Sequence, residues 1–361
     1  MTVERFVDWG LAQRVAVGVA GGGTEPGYFS AAPVEAACAE AAELVLDYTR
    51  LTPAQPLPRV EVVDRAEWAR VGLRTLRELS HGFEARVASG MKAPGPLGGM
   101  ARSLAGAAAG AEAGIAVGYG ARKVLGQYDV ALVDSDRAPR LLFVAPNLAS
   151  THAELGETPE LFLRWIAIHE TTHAVQFTSV PWLRDHLMDL LDQLIQGASA
   201  QIDGASLQAV AKRLFTTNPR RTIRSLLRGD LARMLAGPEQ ARVLDRLQAA
   251  MSVIEGHAEH VMDAAAASSD AGYARLRERL EARRSRRGGL GEVISRLLGM
   301  ELKLRQYKLG KTFCDAVADE AGIDGLNRVW SASEALPSAD ELERPSLWLE
   351  RMGHTGVAAR A

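Results

Sequence analysis

A chain of 361 residues with 47 % hydrophobic and 24 % charged positions has the composition of a globular protein and room for one large domain or two modest ones. Its 42 Lys and Arg against 44 Asp and Glu leave a net charge of −2, so no overall field favours nucleic acid or an acidic membrane. Two distant cysteines, Cys38 and Cys314, exclude a disulfide framework and make a reducing cytoplasm the expected compartment.

The first ten residues include early acidic positions and no uninterrupted apolar run, so they do not read as a secretory signal. Residues 31–50 form an alanine-rich helical pattern containing Val34, Ala37, Leu44 and Leu46. Val60, Val62 and Val63 make a short strand. A longer helical pattern follows from Asp64, a suitable N-cap, to about Val87. Pro94, Gly95, Pro96, Gly98 and Gly99 then predict a loop from Lys92 to Met100.

Between residues 103 and 120, Gly106, Gly110, Gly114 and Gly118 recur every four residues among alanines. Such small-residue faces occur where membrane helices meet. Glu112 in the middle and the weak apolarity of alanine make this too poor a membrane span. Close packing of a buried helix against a neighbour is the expected role, and membrane association is not expected. Two β-type runs, Asp129 to Val133 and Leu141 to Val144, flank a polar turn and predict a hairpin ended by Ala145-Pro146-Asn147.

The next helix has a readable start: Thr158 can cap it, Pro159 suits its first position, and Glu160 complements its positive end. It carries His169-Glu170-Thr-Thr-His173, the HExxH pattern of zinc hydrolases. Residues i and i+4 share a helix face, so both imidazoles can reach one ion. Glu170, about 100° further round, stands beside such an ion and can take a proton from water. Leu161, Trp165, Ile168 and Val175 form an apolar stripe. Phe162, Ile166 and Phe177 align with the two histidines, so these emerge from an otherwise buried face.

From Pro159 to about Leu349 the pattern is almost wholly helical. Breaks fall at Val180-Pro181, Gly197, Asn218-Pro219, Gly237-Pro238 and Gly288-Gly289. The basic run Arg283 to Arg287 suits a solvated helix end. Residues 1–100 read as an N-terminal helical region with one short strand and 101–361 as the catalytic region, together one integrated domain. The fold class is mainly α, with a small sheet beside the HExxH helix.

A catalytic zinc takes three protein ligands and leaves a fourth position open. A third histidine six residues after His173 would fall at Ser179, so the third ligand comes from elsewhere. Glu255-Gly-His257-Ala-Glu259-His260 is the best segment. Glu255 and Glu259 share one helix face, Glu255 placed to bind the metal and Glu259 to accept the free ring N–H of a ligand histidine. His257 lies about 200° round the helix from Glu255. His257 and His260 remain as alternative ligands. For a donor to the developing oxyanion, Lys303 and Tyr307 share a helical face, and Tyr307 is the candidate. A half-buried packing role for Tyr307 stands beside it.

Several segments together resemble the actinobacterial zincin-like metallopeptidases of the DUF2342 type, some labelled coenzyme F420 biosynthesis-associated. They are Val63-Asp-Arg-Ala-Glu-Trp68, Val124-Leu-Gly-Gln-Tyr-Asp129, Leu142-Phe-Val-Ala-Pro-Asn147, His169 to Phe177, Val180 to Leu187, Glu255 to Glu259, and Arg305-Gln-Tyr307. The resemblance implies a zincin-like, mainly helical fold and a zinc-dependent hydrolase, with ligands at His169 and His173 and the base at Glu170. Glu255 followed by Glu259 is similar to the gluzincin arrangement. The expected activity is peptide hydrolysis on a peptide or protein substrate. A metal-dependent amidohydrolase acting on a non-peptide cofactor-type substrate, or a binding protein of zincin fold, are the alternatives.

Overall fold

The computed structural model describes residues 6–23, 27–90, 96–130, 137–200, 238–266, 271–287 and 304–354. Helix α1 (Trp9–Ala20) starts at Asp8, whose carboxylate accepts from the Leu11 N–H, and α2 (Ala31–Thr49) follows. Strand β1 (Arg59–Val63) leads into α3 (Arg65–Gly90), where Asp64 accepts from the Glu67 N–H as an N-cap. Helix α4 is Pro96–Ala121, so the helix begins inside the predicted loop: proline lacks an N–H but suits a first turn, where that donor is not needed.

Strands β2 (Gly126–Asp129) and β3 (Arg140–Val144) pair antiparallel, as a hairpin requires, but β2 ends where the predicted strand begins. Burial on both faces sets this register: Tyr128 packs towards one core while Asp129 is buried in ion pairs. Residues 131–133 of the predicted strand lie outside the described residues. The chain passes directly from β3 into α5 (Ala145–Leu155), a helix that Ala145-Pro146-Asn147 starts rather than a turn.

Helix α6 (Pro159–Ser179) carries the HExxH motif and is capped by Thr158 accepting from the Leu161 N–H. Then come α7 (Pro181–Ala200), α8 (Pro238–Ala266), α9 (Ala271–Arg287), α10 (Leu304–Leu326), α11 (Ala339–Glu343) and α12 (Pro345–Arg351). Pro181 and Pro238 open helices as expected, whereas Gly197 sits within α7. The other two breaks, at residues 218–219 and 288–289, lie outside the described residues.

The three strands form one sheet in the order β1-β3-β2, with β1 parallel to β3. The fold is mainly α with this small sheet beside the HExxH helix. Alternate side chains of β3 serve two cores. Leu141 and Phe143 pack with α2 and α6, while Leu142 and Val144 pack with Trp68 of α3, Val117 of α4 and alanines of α1. A third core joins α7, α8, α10 and the C-terminal helices around Leu183, Val253, Phe313 and Trp348.

The four-residue glycine period resolves as packing between α4 and α1. A Cβ at Gly114 or Gly118 would stand 2.5 Å from the Ala12 or Ala16 carbonyl oxygen, and Gly106 and Gly110 meet the carbonyls of Phe6 and Asp8 in the same way. Among the described residues no helix is long and apolar enough to cross a membrane.

Candidate metal centre

Helix α6 is buried on nearly every side, and α8 packs across it. This crossing brings together residues far apart in the chain. His169 Nε2 and His173 Nε2 are 3.3 Å apart, and each is 3.7 Å from Glu255 Oε2. Among the described residues these three form the cluster able to hold a metal ion, with ligand atoms all within 4.8 Å of one another. Donors at ~2.0–2.2 Å from one tetrahedral ion stand roughly 3.3–3.6 Å apart, so the triangle needs little adjustment. Two imidazoles and a carboxylate are also the donor set that suits zinc.

Hydrogen bonds orient the imidazoles. Gln176 Nε2 lies 2.9 Å from the Ile254 carbonyl oxygen, which can only accept, so the amide nitrogen is fixed there. Gln176 Oε1 therefore faces His173 Nδ1 at 2.9 Å and accepts its proton, leaving the Nε2 lone pair for the site. The second N–H of Gln176 points at His257 Nδ1, 3.0 Å away. His169 Nδ1 lies 3.1 Å from Met262 Sδ, so its Nε2 also turns inward.

Burial alone would lower the His173 pKa. The Glu255 carboxylate, helped by Glu170 and Gln176, outweighs it, and His173 is pushed up to about 9. Surroundings that hold a proton this firmly also favour a divalent cation, which displaces it.

Glu170 is 8 % exposed and lies under the first residue of β2. A Cβ at Gly126 would stand 2.6 Å from Glu170 Cγ and 2.9 Å from Glu170 Oε1, so any larger residue there would push this carboxylate aside. Gly126 and Gln176, which lie against Glu170 and His173, are positions that sequence reasoning missed. Gln176 had a legible signal, since it follows His173 by three residues on the same helix. Gly126 had none, because nothing local shows which glycine meets a carboxylate 44 positions later.

The remaining candidates fall as follows. Glu259 lies one turn beyond Glu255 on α8, while at His173 the ring N–H goes to Gln176. His257 is fully buried and its pKa is pushed down to about 3, by burial first and then by the His260 and His173 charges. It is thus a neutral acceptor behind Gln176. His260 bonds Tyr48 Oη through Nε2 (2.7 Å) and Asp315 through Nδ1 (2.8 Å). Neither His257 nor His260 joins the donor cluster. Tyr307 belongs to the first turn of α10, but its side chain, like the whole of Lys303, lies outside the described residues.

A family of zincin-like metallopeptidases matches residues 7–349. The chain belongs to that family. Among solved structures it is similar to a protein from Chloroflexus aurantiacus, described as a putative hydrolase with a novel fold. That likeness has a TM-score of 0.71 at 29 % identity, over 97 % of this chain and 100 % of the other. No curated protein matches. For this zincin-like chain, family and neighbour together support a metal-dependent hydrolase, and the family implies a divalent metal.

Proposed function

We propose that this zincin-like protein is a zinc-dependent peptidase in which His169, His173 and Glu255 hold the metal and Glu170 is the general base. The supporting observation is the triangle of donors at 3.3 and 3.7 Å, with Glu170 adjoining His169 in sequence on the same helix. Bound zinc would supply Lewis acidity and make water a nucleophile near neutral pH. The chain's own residues do the rest. The Glu170 carboxylate accepts the proton of the attacking water and returns it to the leaving amine nitrogen. Strand β2 ends the described sheet directly over Glu170, where its edge can pair with an extended peptide and bring the scissile carbonyl to the base.

The cytoplasm is the proposed compartment, in keeping with two free, buried thiols. Burial pushes Cys38 up to about 12, which suits a packing cysteine rather than a nucleophile.

The test is elemental analysis followed by digestion of a peptide library. Wild type and Glu170→Gln should each carry about one zinc per chain, while hydrolysis by the variant falls at least about a hundredfold. Equal turnover by the two proteins would remove Glu170 as base. Absence of any transition metal from freshly prepared wild type would remove the metal mechanism.

A further inference from the structure

Beside the donor triangle stands a pair of aromatic rings that the metal chemistry does not use. On α6, residues four apart share a face, so Phe177 continues the line of His169 and His173 one turn further on. On β2, alternate residues share a face, so Tyr128 is turned the same way as Gly126, the residue that lies against Glu170. The two rings meet, their centroids 5.4 Å apart and their planes tilted by 40°. Strand and helix thus run side by side, from the contact of Gly126 with Glu170 to that of Tyr128 with Phe177.

Neither ring is fully buried. Tyr128 packs on the core of α2 and α6, and Phe177 on that of α7, α8 and α10, so the pair bridges two cores and still keeps part of its surface open. A pair that only closed this seam would gain most from complete burial. Burial, with the Asp129 charge beside it, holds the Tyr128 phenol above its ordinary range although Arg184 pulls the other way. The ring therefore stays uncharged.

Along an edge strand, the pairing fixes where each substrate side chain falls. A peptide paired to β2 with one residue opposite Gly126 brings that residue's carbonyl to Glu170. The residue two positions away then lies opposite Tyr128, about 6.8 Å further along, and its side chain takes the same face, towards α6. We propose, on the peptidase reading above, that Tyr128 and Phe177 form a specificity subsite for a large apolar side chain, aromatic or long aliphatic. The subsite takes the residue two positions from the one that carries the scissile carbonyl. Open aromatic faces and edges next to a ring pair give such a side chain stacking contact as well as burial.

Digestion of a peptide library by the zinc-loaded full chain, read position by position, tests this. At that one position Phe, Tyr, Leu or Met should be favoured over Ala or Asp by about tenfold or more in kcat/KM. Antiparallel pairing puts the preference on the amino side of the scissile residue, and parallel pairing on its carboxyl side. Tyr128→Leu and Phe177→Leu keep apolar volume but remove a ring. Each should cut the preference for Phe over Ala there by about threefold or more, chiefly through KM. Preferences at other positions and the zinc content should stay as in wild type, a pattern that loosened packing would not produce. If either variant melts far below wild type, the wild-type profile decides the matter alone. Cleavage indifferent to that position would overturn the subsite and leave the peptidase reading standing. So would a preference for acidic side chains, which Arg184 would favour, or a preference that both folded variants leave unchanged. Cleavage of no library member would overturn the subsite together with the peptidase reading.

Discussion

The proposed metal site is oriented by a residue that touches no donor atom of the triangle. Gln176 reads the Ile254 carbonyl with its amide nitrogen and so presents oxygen to His173. This fixes the imidazole as the tautomer that offers Nε2, and ties α6 to α8 one residue before Glu255. Replacing Gln176 with Leu keeps the volume but removes the acceptor and both donors. Chelator competition should then show zinc held about 10–100-fold more weakly. A cobalt-substituted sample should show an altered visible spectrum, a change that loosened packing elsewhere would not produce. Unchanged affinity and spectrum would remove Gln176 from the site. At this scale the sequence was legible where chemistry is local. The i, i+4 imidazoles and the adjoining Glu170 follow from helix geometry alone, and Glu255 stood out by its four-residue spacing from Glu259 on one helix face. The hydrogen-bond partners were not legible, because Met262 and Ile254 are ordinary core residues until a second helix is laid across them.

Between elements, glycine decides how closely backbones approach. The α4 stripe lets α1 and the residues just before it lie with their carbonyl oxygens against Gly106, Gly110, Gly114 and Gly118. A comparable approach joins α8 to α10, where Gly256, next to Glu255, abuts the Gly310 backbone. Gly110→Ala sets a methyl against the Asp8 carbonyl, a backbone group that no rotamer change can move aside. The helices must part, at a cost of about 1–3 kcal/mol. Thermal unfolding should show the loss while zinc content stays at one per chain. An unchanged melting temperature would mean that α1 does not hold this position. The period of four announced a close helix contact in the sequence but could not name the partner. Strand β2 was misplaced for a related reason: its register follows from Tyr128 facing a core that distant elements build, while Asp129 meets Arg137 and Arg140 across the turn.

For the whole molecule, the proposed metal site would act as a clasp between distant parts of the chain. Two donors come from α6 and the third from α8, and the unfolded chain has no such arrangement of its imidazoles and carboxylate. An ion bound there stabilises the folded state in proportion to the logarithm of free metal over Kd, about 4.1 kcal/mol at a thousandfold excess. Zinc should therefore raise the melting temperature of chelator-treated protein by several degrees. His173→Ala should melt at the same temperature with and without zinc. Gly110→Ala should melt lower than wild type in both conditions yet keep the full zinc-induced rise, because its defect lies across the sheet from the triangle. A melting temperature that zinc does not move in wild type would mean that the three donors fail to bind it in the folded state. A rise that survives His173→Ala would place the ion elsewhere in the chain.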